Sequence, residues 1–285
     1  MSRWRLILDG ESHGAWNMGV DEALMASAVR TGRPAMRLYQ WKGPWLSLGY
    51  GQAVSAERLE VCGGAGVRWV RRVSGGRAVL HGGDLTYALA ARESQLPAGL
   101  RASYELVAWA LLAALRAIGI HAVASPASAG RLQDPLGHRP ANHSGRSTVN
   151  RWDAFDCFAR AAGREICVDG QKLAGSAQRR AGGGVLQHGS IRLRPDTPAA
   201  RHASSLSGSR ATSLAELGVD PTPKALQDAC VKSFAGALGA VFEPASLAGS
   251  ERDWAHLRVQ SHRRDPGFAP APHLWASSRQ PIASR

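Results

Sequence analysis

Paired glycines cut the first ninety residues into strand-length pieces. Residues 36–41 and 45–49 are apolar and aromatic runs broken by Gly43-Pro44, and residues 67–73 and 78–89 are punctuated by Gly75-Gly76 and Gly82-Gly83. Apolar and aromatic runs bounded by such turn signals read as strands, and glycine supplies the backbone angles that tight turns demand. Further short runs at 6–8, 120–124, 165–168, 172–177 and 185–193 read as strands as well. Three longer stretches carry helical density instead. Residues 15–30 begin with carboxylates at Asp21 and Glu22, residues 104–118 stop before Gly119, and residues 225–238 form the third. Strands interleaved with few helices and joined by hairpin-like turns predict an α+β fold with a mixed, largely antiparallel sheet.

At 285 residues one sizeable core is expected, over residues 1–245, with a C-terminal extension at 246–285 whose last twenty-odd residues are poorly ordered. The stretch 125–150, rich in Ser, Pro, Gly, Asn and His, predicts a long loop of the kind that carries function. The N-terminal apolar run is too short for a signal peptide and no segment approaches a bilayer span, so a soluble, cytoplasmic protein is expected.

Lysine is rare here: 31 of the 35 basic residues are arginine, yet Lys172 is kept within Asp169-Gly-Gln-Lys-Leu-Ala-Gly-Ser-Ala-Gln178. An ammonium on a flexible stem reaches a single atom and responds to burial, which a planar guanidinium does not. Fifteen residues upstream lies Cys157, and an ammonium beside a thiol favours the thiolate. A solvated turn lysine is the plain alternative. The four cysteines, Cys62, Cys157, Cys167 and Cys230, are irregularly spaced, which argues against a disulfide framework or a zinc site. Cys167, between Ile166 and Val168, reads as a small core hydrophobe.

Glycines in Arg71-Arg-Val-Ser-Gly-Gly-Arg-Ala-Val-Leu-His81 let a backbone approach a ligand and offer N–H groups to a carbonyl oxyanion or phosphate, with a simple hairpin turn as the alternative. His81 and His188 are candidate bases or ligands. The net charge of +13 favours acidic partners, whereas no aromatic-studded basic stripe marks a nucleic-acid binder.

Taken in order, the 71–81 segment, Asp84-Leu-Thr-Tyr87, Cys157-Phe158, Gly170-Gln-Lys-Leu-Ala-Gly-Ser-Ala-Gln178 and Leu186-Gln-His-Gly-Ser190 resemble the biotin/lipoate ligase superfamily. Within it the chain is most similar to the cysteine-dependent octanoyltransferases of LipM type, from residue 1 to about 245. The resemblance implies transfer of octanoyl from acyl carrier protein, through an acyl-enzyme on Cys157, to a lysine of a lipoyl domain such as the glycine-cleavage H protein. It makes Lys172 the residue that lowers the Cys157 pKa. It places Arg71, Ser74, Gly75, Gly76, His81, Gly175, Ser176, Ala177 and His188 at the substrate. No cofactor, metal, nucleic acid or membrane is implied. Arg77 and Gly82 stand where ATP-using ligases typically carry a third glycine and an aspartate, which argues against adenylate formation. The open alternatives are an ATP-dependent lipoate-protein ligase, an octanoyl amidotransferase between lipoyl domains, and a non-catalytic module that binds carrier proteins. After Cys157-Phe158 the chain continues Ala159-Arg-Ala-Ala-Gly-Arg-Glu165, departing from the Pro-Ser and aromatic-Glu element of familiar members.

Overall fold

The computed structural model describes residues 1–125, 165–204, 210–220 and 222–264. In chain order the elements are β1 (Ser2–Ser12), α1 (Gly14–Thr31), β2 (Ala35–Trp41), β3 (Trp45–Leu48), α2 (Ala56–Gly64), β4 (Arg68–Arg71), β5 (Val79–His81) and β6 (Asp84–Arg92). They continue with α3 (Gly99–Ala117), β7 (Val123–Ala124), β8 (Ile166–Val168), β9 (Gln171–Ala181), β10 (Gly184–Arg192), α4 (Pro198–Ala203), α5 (Pro223–Leu238), β11 (Ala240–Pro244) and α6 (Gly249–Arg264). The main sheet runs β11-β1-β2-β6-β10-β9-β8-β7, and a small sheet runs β4-β3-β5. Among the described residues of the main sheet, β1 alone pairs in parallel, with β11 and β2; the other neighbours are antiparallel. The α+β class and the mixed, largely antiparallel sheet expected from the sequence are what the chain adopts.

The central strands are covered on both faces, which is why they read as apolar throughout instead of alternating. Met36, Leu38, Leu89 and Ala91 pack with α3 and α5, while Ala35, Tyr39, Ala88 and Ala90 pack with α1. Helix α1 lies between β6 and β10 and the helix α6. The two helices approach closely because Gly19 has no side chain: a Cβ there would stand 2.9 Å from Ala255 Cα and 2.9 Å from Arg258 Cβ. Among the described residues no helix is long and apolar enough to cross a membrane.

Several elements differ from expectation, each for a local reason. The run 78–89 is two strands belonging to different sheets, because Gly82 turns the chain with a φ of 136° and Asp84 Oδ1 accepts the Gly82 N–H at 3.0 Å. Helix α2, with only Cys62 buried, has no apolar stripe to announce it, although Ser55 caps it by accepting the Arg58 N–H. Asp21 and Glu22 do not serve the start of α1; they lie well inside it and are fully buried. Helix α6 lies beyond the residue-245 boundary and is held by buried ion pairs, Arg5 to Glu251 at 2.5 Å and Arg258 to Glu22 at 3.2 Å. Cys157, most of the stretch 125–150 and the last twenty-odd residues lie outside the described residues.

Candidate active site

A cavity of about 450 Å³, part of it open to solvent, is walled by residues of both sheets and of α1. Strands β9 and β10 contribute Lys172, Gly175, Ser176, Ala177 and His188, and the small sheet contributes Ser47 and His81. Six of the expected residues therefore line one space: Lys172, Gly175, Ser176, Ala177, His188 and His81.

Lys172 is buried, with 3 % of its surface exposed. A β-bulge aims it. Ile166 pairs with Ala174 while Cys167 pairs with Lys172, so β9 carries one more residue than β8, at Leu173. In an unbroken strand residues three apart face opposite sides. Here the Lys172 side chain instead lies over Gly175, where an added Cβ would stand 2.6 Å from Cε and 2.7 Å from Nζ. The glycine is thus required by its neighbour's side chain and not by a turn. The Lys172 backbone is fixed too, donating to the Arg210 carbonyl at 2.8 Å and accepting from the Thr212 N–H at 3.0 Å. Its ammonium forms a buried ion pair with Glu165. Cys167, directly across the ladder, has its thiol pushed up by burial and by the Glu165 charge, with Lys172 pulling the other way. It is held as a core thiol.

The two histidines sit at the centre of two separate hydrogen-bonded chains. His188 Nδ1 bonds Asp21 Oδ2 at 2.9 Å and its Nε2 meets Ser74 Oγ at 2.6 Å. Asp21 also accepts from Tyr39 at 2.8 Å and from Arg37 at 3.0 Å. Ser74 does not line the cavity, so this chain runs into the protein. His81 Nδ1 bonds Asp84 Oδ2 at 2.8 Å, and its Nε2 meets Ser47 Oγ at 2.8 Å. The His81 ring stacks on Trp41 at 3.9 Å with a 9° interplanar angle. Burial alone would raise the Asp84 carboxyl, but the adjoining His81 ring and its hydrogen bond, with Ser190 and the Gly82 N–H, hold it below the ordinary carboxylate value.

Of the expected residues that the structure describes, Arg71, Ser74, Gly75 and Gly76 stand outside the cavity lining. Arg71 clamps a loop, with Nη1 donating to the carbonyls of Gly49 and Gln52 at 2.8 Å. Its neighbour Arg72 is the one that lines the cavity, donating to the carbonyls of Ser47, Gly75 and Arg77 at 2.7, 2.9 and 2.6 Å. Gly75 and Gly76 are exposed, and their turn lies against Gly49, where a Cβ would collide with the Gly76 carbonyl at 1.9 Å. Ser47, Asp84, Asp21 and Glu165 are not singled out as site residues by the sequence, whereas Arg72 stands there beside Arg71 as a source of positive charge for the glycine loop. Arg72 and Asp84 fall within the quoted motifs, but their direction depends on strand facing. Glu165 and Asp21 carry no pattern linking them to Lys172 or His188. Among the described residues no three His, Cys, Asp or Glu side chains gather as a metal site.

The sequence matches the lipoyl protein ligase A/B catalytic domain over residues 13–235. It is 35 % identical to the octanoyltransferase LipM of Kyrpidia tusciae, covering 93 % of this chain and 98 % of the relative. Similarity to octanoyltransferase LipM of Symbiobacterium thermophilum is 34 % identity over 91 % and 95 % of the two chains. In architecture the chain resembles a structure from the analysis of a bi-partite lipoate protein ligase and its E2 lipoyl domain from Thermoplasma acidophilum, with a TM-score of 0.69 at 18 % identity over 95 % and 99 % of the two chains. The chain belongs to the lipoyl protein ligase A/B catalytic domain family, with LipM octanoyltransferases as relatives along nearly its whole length.

Proposed function

We propose that this protein is an octanoyltransferase of lipoate biosynthesis, a cytoplasmic acyltransferase that takes octanoyl from a carrier protein and delivers it to a lipoyl domain. Octanoyl-acyl carrier protein is the donor, and a lipoyl domain such as the glycine-cleavage H protein is the acceptor. The observation that carries this is the buried Lys172 ammonium on the wall of the cavity, in a chain related to LipM octanoyltransferases along nearly its whole length. A desolvated cation stabilises a thiolate far better than a hydrated one does. Cys157 supplies that thiolate, and it attacks the thioester carbonyl, expelling the carrier's pantetheine thiol. The acyl group then waits on sulfur for the acceptor amine, so the kinetics are ping-pong.

Mixing the purified protein with octanoyl-acyl carrier protein and measuring intact mass tests this directly. One octanoyl adduct is expected, absent in Cys157→Ala, with product formed on the lipoyl domain without ATP. A requirement for ATP, or full activity in Cys157→Ala, overturns the proposal. Lys172→Arg keeps the charge but not its shape or reach, and acyl-enzyme formation is expected to fall by about 10²-fold.

A further inference from the structure

Aminolysis of a thioester must dispose of a proton. An amine that adds to the acyl carbon carries a hydrogen that has to leave before the C–N bond becomes an amide, and Cys157, leaving as a thiolate in the reading above, need not take it. Among the polar groups on the cavity wall, Ser47 leads directly to an imidazole nitrogen with a carboxylate behind it. Ser47 lines the cavity, and its hydroxyl meets His81 Nε2 at 2.8 Å; His81 Nδ1 meets Asp84 Oδ2 at 2.8 Å.

The direction of these bonds follows from their neighbours. Arg72 Nη1 is 3.2 Å from Ser47 Oγ, and a guanidinium can only donate. Ser47 therefore accepts from Arg72 and has its own hydrogen for His81 Nε2. That leaves Nδ1–H to donate to Asp84, whose carboxylate is also held by Thr86 Oγ1 at 3.0 Å and the Gly82 N–H at 3.0 Å. Nε2 is then the basic nitrogen, one hydroxyl away from the cavity. The same serine, histidine and carboxylate order serves proton transfer in hydrolytic triads. The His188 chain lacks this outlet, because both its nitrogens bond groups that do not line the cavity, Ser74 and Asp21.

We propose that Ser47 and His81, oriented by Asp84, form the proton relay that serves the second half-reaction, attack of the acceptor lysine on the acyl-enzyme. The acceptor amine enters neutral, and its nitrogen bonds the octanoyl carbonyl carbon. The C–S bond to Cys157 breaks and the sulfur leaves as a thiolate. The nitrogen's proton passes to Ser47 Oγ as the serine proton passes to His81 Nε2, giving an imidazolium held by Asp84. Loss of that proton to solvent restores the resting state. Acylation of Cys157 uses a thiolate already formed and needs no such relay.

This inference rests on the acyl-enzyme reading above, and a rapid-mixing experiment separates the two. Octanoyl-acyl carrier protein is mixed with enzyme to form the adduct, a lipoyl domain is then added, and both steps are followed by intact mass. Ser47→Ala and Asp84→Asn are expected to form the adduct but to transfer it about 10²-fold more slowly, the contribution typical of a positioned acid–base group. Ser47→Thr, which keeps the hydroxyl, is expected to restore most of the transfer rate. Adduct formation itself reports that each variant is folded. If neither alanine nor asparagine slows transfer relative to acylation, or if threonine gives no rescue, the relay is wrong. An octanoyl group found on Ser47 in Cys157→Ala would make the serine a nucleophile and also overturn it. Failure of the unaltered enzyme to form any adduct sinks the acyl-enzyme reading instead.

Discussion

Gly175 shows how a single residue can be set by chemistry beyond its own backbone. Its missing Cβ leaves room for the Lys172 stem, which is the far end of a flexible side chain and can move if pressed. Gly175→Ala is therefore expected to keep its melting temperature within a few degrees while displacing Nζ, and a misplacement of about 1 Å in a reacting group costs about 10²-fold. Equal losses of stability and octanoyl transfer would refute that. Lys172 and Gly175 were both legible in the sequence, as a rare lysine inside a glycine-flanked segment. What was not legible is why they belong together. The bulge at Leu173 arises from pairing with β8, and the Glu165 carboxylate, seven residues before Lys172, meets the ammonium only because β8 folds back antiparallel on β9. Neither follows from spacing along the chain. The same limit separates Arg71, the last residue of β4, from Arg72 just past its end: adjacent residues of extended backbone face opposite ways, and only the assembled sheet decides which faces the cavity.

At the scale of elements, α6 tests how far a polar helix can be part of a fold. Its composition gives no apolar stripe, so nothing in the sequence announced it, and what holds it on α1 is a glycine contact and buried charge. Burial pushes the Glu22 carboxyl up to about 7, with Arg258 opposing that rise. A carboxyl whose folded value lies above its ordinary 4.5 takes up a proton on folding. Its contribution to stability is therefore complete below about pH 4.5 and is lost as pH rises towards 7. Arg258→Ala leaves Glu22 without its buried guanidinium and is expected to destabilise by about 3–5 kcal/mol at alkaline pH. Near pH 5 the loss shrinks, because the carboxyl can be neutral. Urea unfolding of both proteins at the two pH values checks this, and a loss independent of pH would be the contrary result. Where helices were legible, in α1, α3 and α5, apolar density at helical length carried the signal. Strand β11 and helices α2 and α4 lacked it.

For the whole molecule, the α+β class was legible because glycine turns cut the chain into strand lengths, whereas the strand order was not, since it depends on contacts across the full chain. The net charge of +13 acts at this scale as a field instead of a contact. With an acidic carrier protein as donor, kcat/KM is expected to fall about tenfold between about 0.05 and 0.5 M KCl as screening shortens that field. An octanoyl thioester of pantetheine alone, which lacks the carrier's charge, should show little change; an equal fall for both donors would rule out steering. Strand order has a consequence of its own. β1 is the first strand of the chain, and one of its two edges is covered by β11, in register from Ser2 with Ala240 to Leu6 with Pro244. During synthesis the N-terminal strand must wait, with that edge bare, until residues 240–244 have left the ribosome. Closure of this sheet is therefore a late event in the life of each new chain, and a nascent polypeptide stalled before residue 240 exposes an edge to which other strands can add.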